Sequence, residues 1–221
     1  MVDSQTVSLY KKLMWAFGIA GLVFLGVLFA VSTDSFQGDR WLVSAIDDNT
    51  ILQSASSVFH GLSFLASKVM IMVLLVVLIV FLFFKKDYIG MISSFSLILS
   101  GDIINKAVKN AVERSRPLEG IEGYSFPSGH AMMGILIYGL IIFFLTKHMN
   151  NQKVTKRYQR TISLLILLIG VSRILLREHF LTDVLAGYSL GLMWLIVGIF
   201  FYTLVYAYVK PSAEKEFPKG M

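Results

Sequence analysis

Long apolar runs alternate with short charged or turn-forming stretches along the 221-residue chain. The first run covers about 12–31; it opens at Lys11-Lys12 and closes at Ser32-Thr33-Asp34. The second covers about 60–84 and ends at Lys85-Lys86-Asp87. The third, about 88–112, becomes less apolar in its last two turns. The fourth starts near Ser128 and ends near Lys147, and the fifth covers about 158–178. The sixth covers about 182–208 and ends at Lys210-Pro211. A helix needs about 20 apolar residues to cross a bilayer. The pattern therefore predicts six transmembrane helices: an all-α, polytopic membrane protein with one integral membrane domain over 1–221. The first run shares a basic start and small residues (Ala30, Ser32) with signal peptides. It is longer than a typical signal core, so a membrane helix is expected.

Composition agrees with that reading. The chain is 56% hydrophobic with a mean hydropathy of +0.70, and 15% of its residues are charged; a soluble domain carries about 25%. The net charge of +6 suits loops facing anionic headgroups. No nucleic-acid partner is expected, because no soluble basic domain is left outside the spans. With no cysteine, disulfides, thiol catalysis and cysteine metal sites are excluded. His60, His130, His148 and His179 show neither HExxH nor paired-histidine spacing, so no metal and no cofactor are expected.

Charge also orients the chain. The N-terminus, the second-to-third and fourth-to-fifth loops and the C-terminal tail share one side. They carry Lys11, Lys12, Lys85, Lys86, Lys147, Lys153, Lys156, Arg157, Arg160, Lys210, Lys215 and Lys219. The opposite connections hold Arg40, a set of acidic residues (Asp34, Asp39, Asp47, Asp48, Glu119, Glu122) and three motif clusters. The positive-inside rule makes the Lys-rich side cytoplasmic. The expected location is the plasma membrane, multi-pass, with all three clusters at the extracytoplasmic face.

The clusters lie within 109–183. In the first, Lys109 precedes Arg116-Pro117 by seven residues, about two turns if helical, and Pro117 stops the helix. Lys offers a point charge and Arg a planar fork for phosphate oxygens. Arg114 and Lys106 read as snorkelling residues, and Asp102 and Lys106 as a pair inside the bundle. The second cluster is Pro127-Ser128-Gly129-His130. Pro127 fits a helix start, Ser128 a cap, and Gly129 a close ligand approach; free N–H groups at a helix start bind phosphate. The third runs from Ser172-Arg173 to His179 and Asp183. A carboxylate four residues from an imidazole shares its helix face. It fixes the tautomer and leaves the other nitrogen as a nucleophile. Taken singly, the second and third clusters also read as a capped helix start and an ordinary charged helix end. Together they supply three cations, two imidazoles, a carboxylate and a glycine turn, an inventory suited to phosphate transfer by positioning and charge stabilisation.

In order, K-x6-RP, PSGH and SR-x5-H-x3-D resemble the type-2 phosphatidic acid phosphatase superfamily of lipid phosphatases, over about 85–205. The layout is similar to bacterial members such as phosphatidylglycerophosphatase B and the undecaprenyl-pyrophosphate phosphatases. The resemblance implies a metal-independent hydrolase. His179 would attack phosphorus and form a phosphohistidine, and Asp183 would orient it. His130 would protonate the leaving oxygen and later activate water. Lys109, Arg116, Arg173, Ser128 and the Gly129 backbone would hold the phosphoryl oxygens. Leu181 departs from the family, where many members carry proline. The implied substrate is a membrane lipid phosphate: phosphatidylglycerophosphate first, undecaprenyl pyrophosphate as the alternative. With no large soluble domain, the acyl chains are expected to enter laterally between helices. A neutral nucleophile and a protonated acid predict a bell-shaped pH–rate profile.

A transporter is the rival of a different class, on the strength of intramembrane Lys68, Asp102 and Lys106. No inverted repeat or paired broken helix supports it. Vanadate haloperoxidases share similar motifs but are soluble. His60 and His148 are assigned no role.

Overall fold

The computed structural model describes residues 4–149 and 151–209. Lys210, Lys215 and Lys219, which entered the charge count, and Pro211 lie outside the described residues. Those described form helices α1 (Ser4–Ser32), α2 (Gly38–Asp47), α3 (Thr50–Ser54), α4 (Ser56–Phe64), α5 (Lys68–Phe84), α6 (Tyr88–Val112), α7 (Gly129–His148), α8 (Gln152–Leu175) and α9 (Leu181–Val209), with no strand among them. Six stretches are long and apolar enough to cross a membrane: Tyr10–Ser32, Ser56–Phe84, Tyr88–Val112, Gly129–His148, Gln152–Leu175 and Leu181–Val209. The chain is an all-α, multi-pass membrane protein, as the apolar pattern predicts.

Several boundaries differ from expectation, each for a local reason. The second span is two helices, broken at 65–67. Ser67 turns its side chain back to accept from the Met70 N–H at 3.3 Å and caps α5. The break frees the Leu65 carbonyl, which accepts from the Tyr138 hydroxyl at 2.8 Å. The fifth span starts at Gln152 rather than 158, because Asn151 caps it through the N–H groups of Lys153 and Val154. It ends at Leu175 rather than 178. Pro117 is not what stops α6: that helix ends at Val112, where Glu113 takes a left-handed φ of 53°. Lys109 and Arg116 therefore do not share one continuous helix. The 32–59 connection, between the first two apolar runs, contains α2 and α3.

Lipid tails are as apolar as leucine, so membrane helices associate through close packing rather than water exclusion. The centre of the bundle is α7, the most enclosed span, packed against α5, α6, α8 and α9. Leu136, Ile137 and Phe144 on it are fully buried. Glycines on α9 set its closest approach. A Cβ at Gly187 would stand 2.6 Å from the Ser128 carbonyl oxygen, and one at Gly191 2.9 Å from that of Met132. These residues are one turn apart on each helix, so two glycines seat one backbone against the other.

The two ends of the bundle are polar. At one end lie the three clusters, with α2 and α3 folded over them. At the other, buried Asp87 caps α6 through the Gly90 N–H at 2.9 Å. It also accepts from the Lys147 ammonium at 2.7 Å and the Tyr202 hydroxyl at 2.8 Å, and lies 3.3 Å from His148 Nε2. Burial alone would raise Asp87, but its bonds to His148 and Lys147 hold the carboxyl well below the usual range. His148 thus has a partner that the sequence does not reveal. The transporter-like charges are peripheral. Lys68 and His60 are exposed. Asp102 and Lys106 pair at 2.5 Å on an outer face of α6, not inside the bundle, with side chains 38% and 59% exposed.

Candidate active site

The third cluster is built by a sharp reversal between α8 and α9. Arg177 takes a left-handed φ of 56°, and the Glu178 and His179 N–H groups both donate back to the Arg173 carbonyl. This turns the His179 ring into the bundle end, where it is 2% exposed. Asp183 sits in the first turn of α9, where a carboxylate suits the positive end of the helix dipole. Its Oδ2 accepts from the Phe180 N–H at 2.9 Å and faces His179 Nδ1 at 3.4 Å. The other ring nitrogen, Nε2, faces an N–H of Arg116 at 3.5 Å. Burial pulls the imidazole pKa down to about 4 against the opposing pull of Asp183. His179 is therefore neutral near pH 7, with one nitrogen held and the other directed at a cation. Leu181, the departure from the family pattern, merely opens α9.

The cations converge from three elements. Lys109, in the last turn of α6, donates to the carbonyls of Tyr124 and Ser125 at 2.7 and 3.1 Å. Arg116, in the α6–α7 connector, donates to the carbonyls of Gly123 (2.9 Å) and Glu178 (3.0 Å). Arg173, near the end of α8, pairs with the Glu178 carboxylate and donates to the Ser63 hydroxyl. Lys109 and Arg173 lie within electrostatic reach of His179. The same two, with Arg116 and His179, lie within reach of half-buried His130 at the start of α7. A cavity of about 580 Å³ opens beside Arg116, lined also by Ser115, Glu119 and Tyr124.

Ser128 occupies the N-cap position of α7 but its side chain makes no capping bond. Its N–H instead donates to the Asp183 carbonyl at 2.9 Å, tying the second cluster to the third. The Ser128 hydroxyl is buried without a partner among the described residues, as is Nε of Arg173. Buried donors of this kind are rare in folded proteins, and a phosphoryl oxygen is the acceptor both would suit. Gly129 keeps the backbone open: a Cβ there would meet the Asn105 side-chain oxygen at 3.3 Å. Every residue of the three clusters thus lies at one end of the bundle.

Sequence reasoning missed further members. Arg114 does not snorkel. It donates to Asp183 Oδ1 at 2.6 Å, to the Thr182 hydroxyl at 2.7 Å and to Asp39 at 2.8 Å, and stacks 4.0 Å above the Phe180 ring. Its place two residues before Arg116 was the available signal. Asp39, Ser63 and Glu178 carried none.

The model of the PAP2 superfamily matches residues 72–210. The chain belongs to the PAP2 superfamily. It is 32% identical over 179 residues to phosphatidylglycerophosphatase B of Bacillus subtilis strain 168, covering 78% of this chain and 87% of that protein. Its fold matches the crystal structure of a transmembrane PAP2-type phosphatidylglycerolphosphate phosphatase from Bacillus subtilis, with a TM-score of 0.78 and 28% identity over 86% of this chain and 98% of the other. Aquifex aeolicus LpxE shares the fold, with a TM-score of 0.55 and 23% identity over 74% of this chain and 96% of that one. This PAP2 protein is accordingly a membrane lipid phosphatase, a phosphoric monoester hydrolase of the bilayer.

Proposed function

We propose that this PAP2 protein converts phosphatidylglycerophosphate to phosphatidylglycerol and inorganic phosphate, without a metal, through a phosphohistidine on His179. The observation that carries this reading is the setting of the His179 ring. Nδ1 lies against Asp183 and Nε2 against Arg116, with Lys109 and Arg173 within electrostatic reach. In the first step Nε2 attacks phosphorus and the bond to the lipid oxygen breaks. His130 gives its proton to that oxygen. In the second step water attacks the phosphorus, His130 takes a proton from the water, and the P–N bond breaks to restore neutral His179. The cations, the Ser128 hydroxyl and the Gly129 backbone hold the phosphoryl oxygens and absorb the charge of the transition state.

The name of the Bacillus subtilis relative supports phosphatidylglycerophosphate over undecaprenyl pyrophosphate. The Lys/Arg count supports a site at the extracytoplasmic face of the plasma membrane, within one integral domain over 1–221 whose motifs fall in 109–183. The test is phosphate release from both lipids, in detergent with chelator, by wild type and His179→Ala. Release from phosphatidylglycerophosphate by wild type alone supports the reading, and faster release from undecaprenyl pyrophosphate reassigns the substrate. Loss of activity in chelator overturns metal independence. Release by His179→Ala overturns the phosphohistidine, and no release from either lipid overturns both substrate assignments in favour of another phosphorylated lipid.

A further inference from the structure

The buried carboxylate of Asp39 has no part in the chemistry above, and it sits on α2, in a connector without family motifs. It is 2% exposed. Oδ1 accepts from the Thr182 N–H at 3.1 Å, while Oδ2 accepts from Arg114 at 2.8 Å and from the Thr182 hydroxyl. Arg114 in turn donates to Asp183 Oδ1 at 2.6 Å, and the opposite oxygen of Asp183 faces His179. An unbroken path of buried or half-buried polar contacts therefore runs from Asp39 through Arg114 and Asp183 to the nucleophile. It joins α2, the α6–α7 connector and the first turn of α9.

From this path we infer that Asp39 is a positioning residue for phosphoryl transfer: it holds Arg114, which fixes the rotation of Asp183 and through it the ring of His179. The inference rests on the reading of His179 as the nucleophile. Two features set the role apart from simple anchoring of a loop. Arg114 binds only one of the two Asp183 oxygens and leaves the other for His179, so a change in Arg114 is a change in the orienting carboxylate. The charges also alternate along the path, negative at Asp39, positive at Arg114 and negative at Asp183. Neutralising Asp39 leaves Arg114 undivided against Asp183 and lowers the proton affinity of His179. Removing the Arg114 charge does the reverse. The other charged or titratable groups around His179 are Arg116, Lys109, Arg173, His130 and Glu178, and neither substitution alters them.

The experiment compares Asp39→Asn and Arg114→Gln with wild type and His179→Ala, measuring initial rates of phosphate release from phosphatidylglycerophosphate micelles from about pH 2.5 to 9, a range that brackets the His179 value of about 4. Asp39→Asn is expected to lower kcat by about 10–100-fold, up to the roughly 100-fold that misplacing a reacting group by about 1 Å costs, with KM changed less than about threefold. The acidic limb of kcat/KM should move to lower pH in Asp39→Asn and to higher pH in Arg114→Gln. Wild-type kcat in Asp39→Asn overturns the inference. So does a fall in kcat with the limb unmoved in both variants, which marks a purely structural contact. If Asp39→Asn is not recovered folded, Asp39→Glu takes its place. A wild-type limb in that variant beside a raised one in Arg114→Gln supports the inference, and an unmoved limb in Arg114→Gln overturns it. Activity in His179→Ala would instead remove the reading beneath it, a failure visible apart from the others.

Discussion

Replacing Gly187 with alanine tests whether the contact between α7 and α9 sets the geometry of the site. The added Cβ would stand 2.6 Å from the Ser128 carbonyl oxygen and 3.0 Å from the Ala131 Cβ. Ordinary contact begins at 3.4 Å, so the helices must part by about 0.8 Å at this point. The nearest atom is backbone and cannot swing aside. The same residue, Ser128, donates its N–H to the Asp183 carbonyl at 2.9 Å, so the opening separates His130 from Asp183 and His179. Overpacking of this kind costs about 1–3 kcal/mol, and misplacing reacting groups by about 1 Å costs about 100-fold in rate. Gly187→Ala should therefore fold with a lowered thermal midpoint and lose about 10–100-fold in kcat for phosphate release in detergent. Gly191→Ala, one turn deeper and 2.9 Å from the Met132 carbonyl, serves as the control. It should cost comparable stability and less activity. A Gly187→Ala enzyme with wild-type kcat would refute the argument that this crossing positions the site.

Three further outcomes are expected. His179 must be neutral to attack, and burial lowers its pKa to about 4. Activity is therefore lost as pH falls through that value, and an NMR titration of the His179 ring should have its midpoint well below the ordinary histidine value of about 6.5; a midpoint near 6.5 would contradict the burial. Glu178 occupies Arg173 in this structure. Glu178→Gln should thus tighten inhibition by inorganic phosphate severalfold, and weaker inhibition would mean that Glu178 orients Arg173 rather than competing for it. At the other end, Asp87→Ala leaves the Lys147 charge without its buried carboxylate. It should cost about 3–5 kcal/mol, read as a lowered thermal midpoint; an unchanged midpoint would show that the pair carries no stability.

Hydropathy was a sufficient guide to the spans because each crossing is a continuous apolar run, and α6 fell where expected. It does not register helix that continues past the apolar run, so the polar first turns of α1 and α8 went unseen. Nor does it register a break made of apolar and small residues, such as Leu65-Ala66-Ser67. The three clusters were legible because their members are close in sequence and their residue types are costly near lipid. Asp39 was not. Its partners Arg114 and Thr182 lie 75 and 143 residues away, and only the fold brings a carboxylate in the first turn of α2 onto them. Arg114 was misread because a helix-end arginine has the same appearance whether it reaches for headgroups or for a buried aspartate.

The polar staple around Asp87 has a consequence for the opposite end of the bundle. Helix α7 carries His130 near its first turn and Lys147 and His148 near its last, separated by about 26 Å at 1.5 Å per residue. A register shift of one residue would combine a slide of about 1.5 Å along its axis with a turn of about 100° about it. Either motion would pull Lys147 and His148 off Asp87 and lift the Ser128 and Met132 backbone from the two glycines of α9. The azimuth at which His130 points is thus indexed at two stations, one against glycine and one against charge. A substitution at the far station should therefore reach the first as a change of angle.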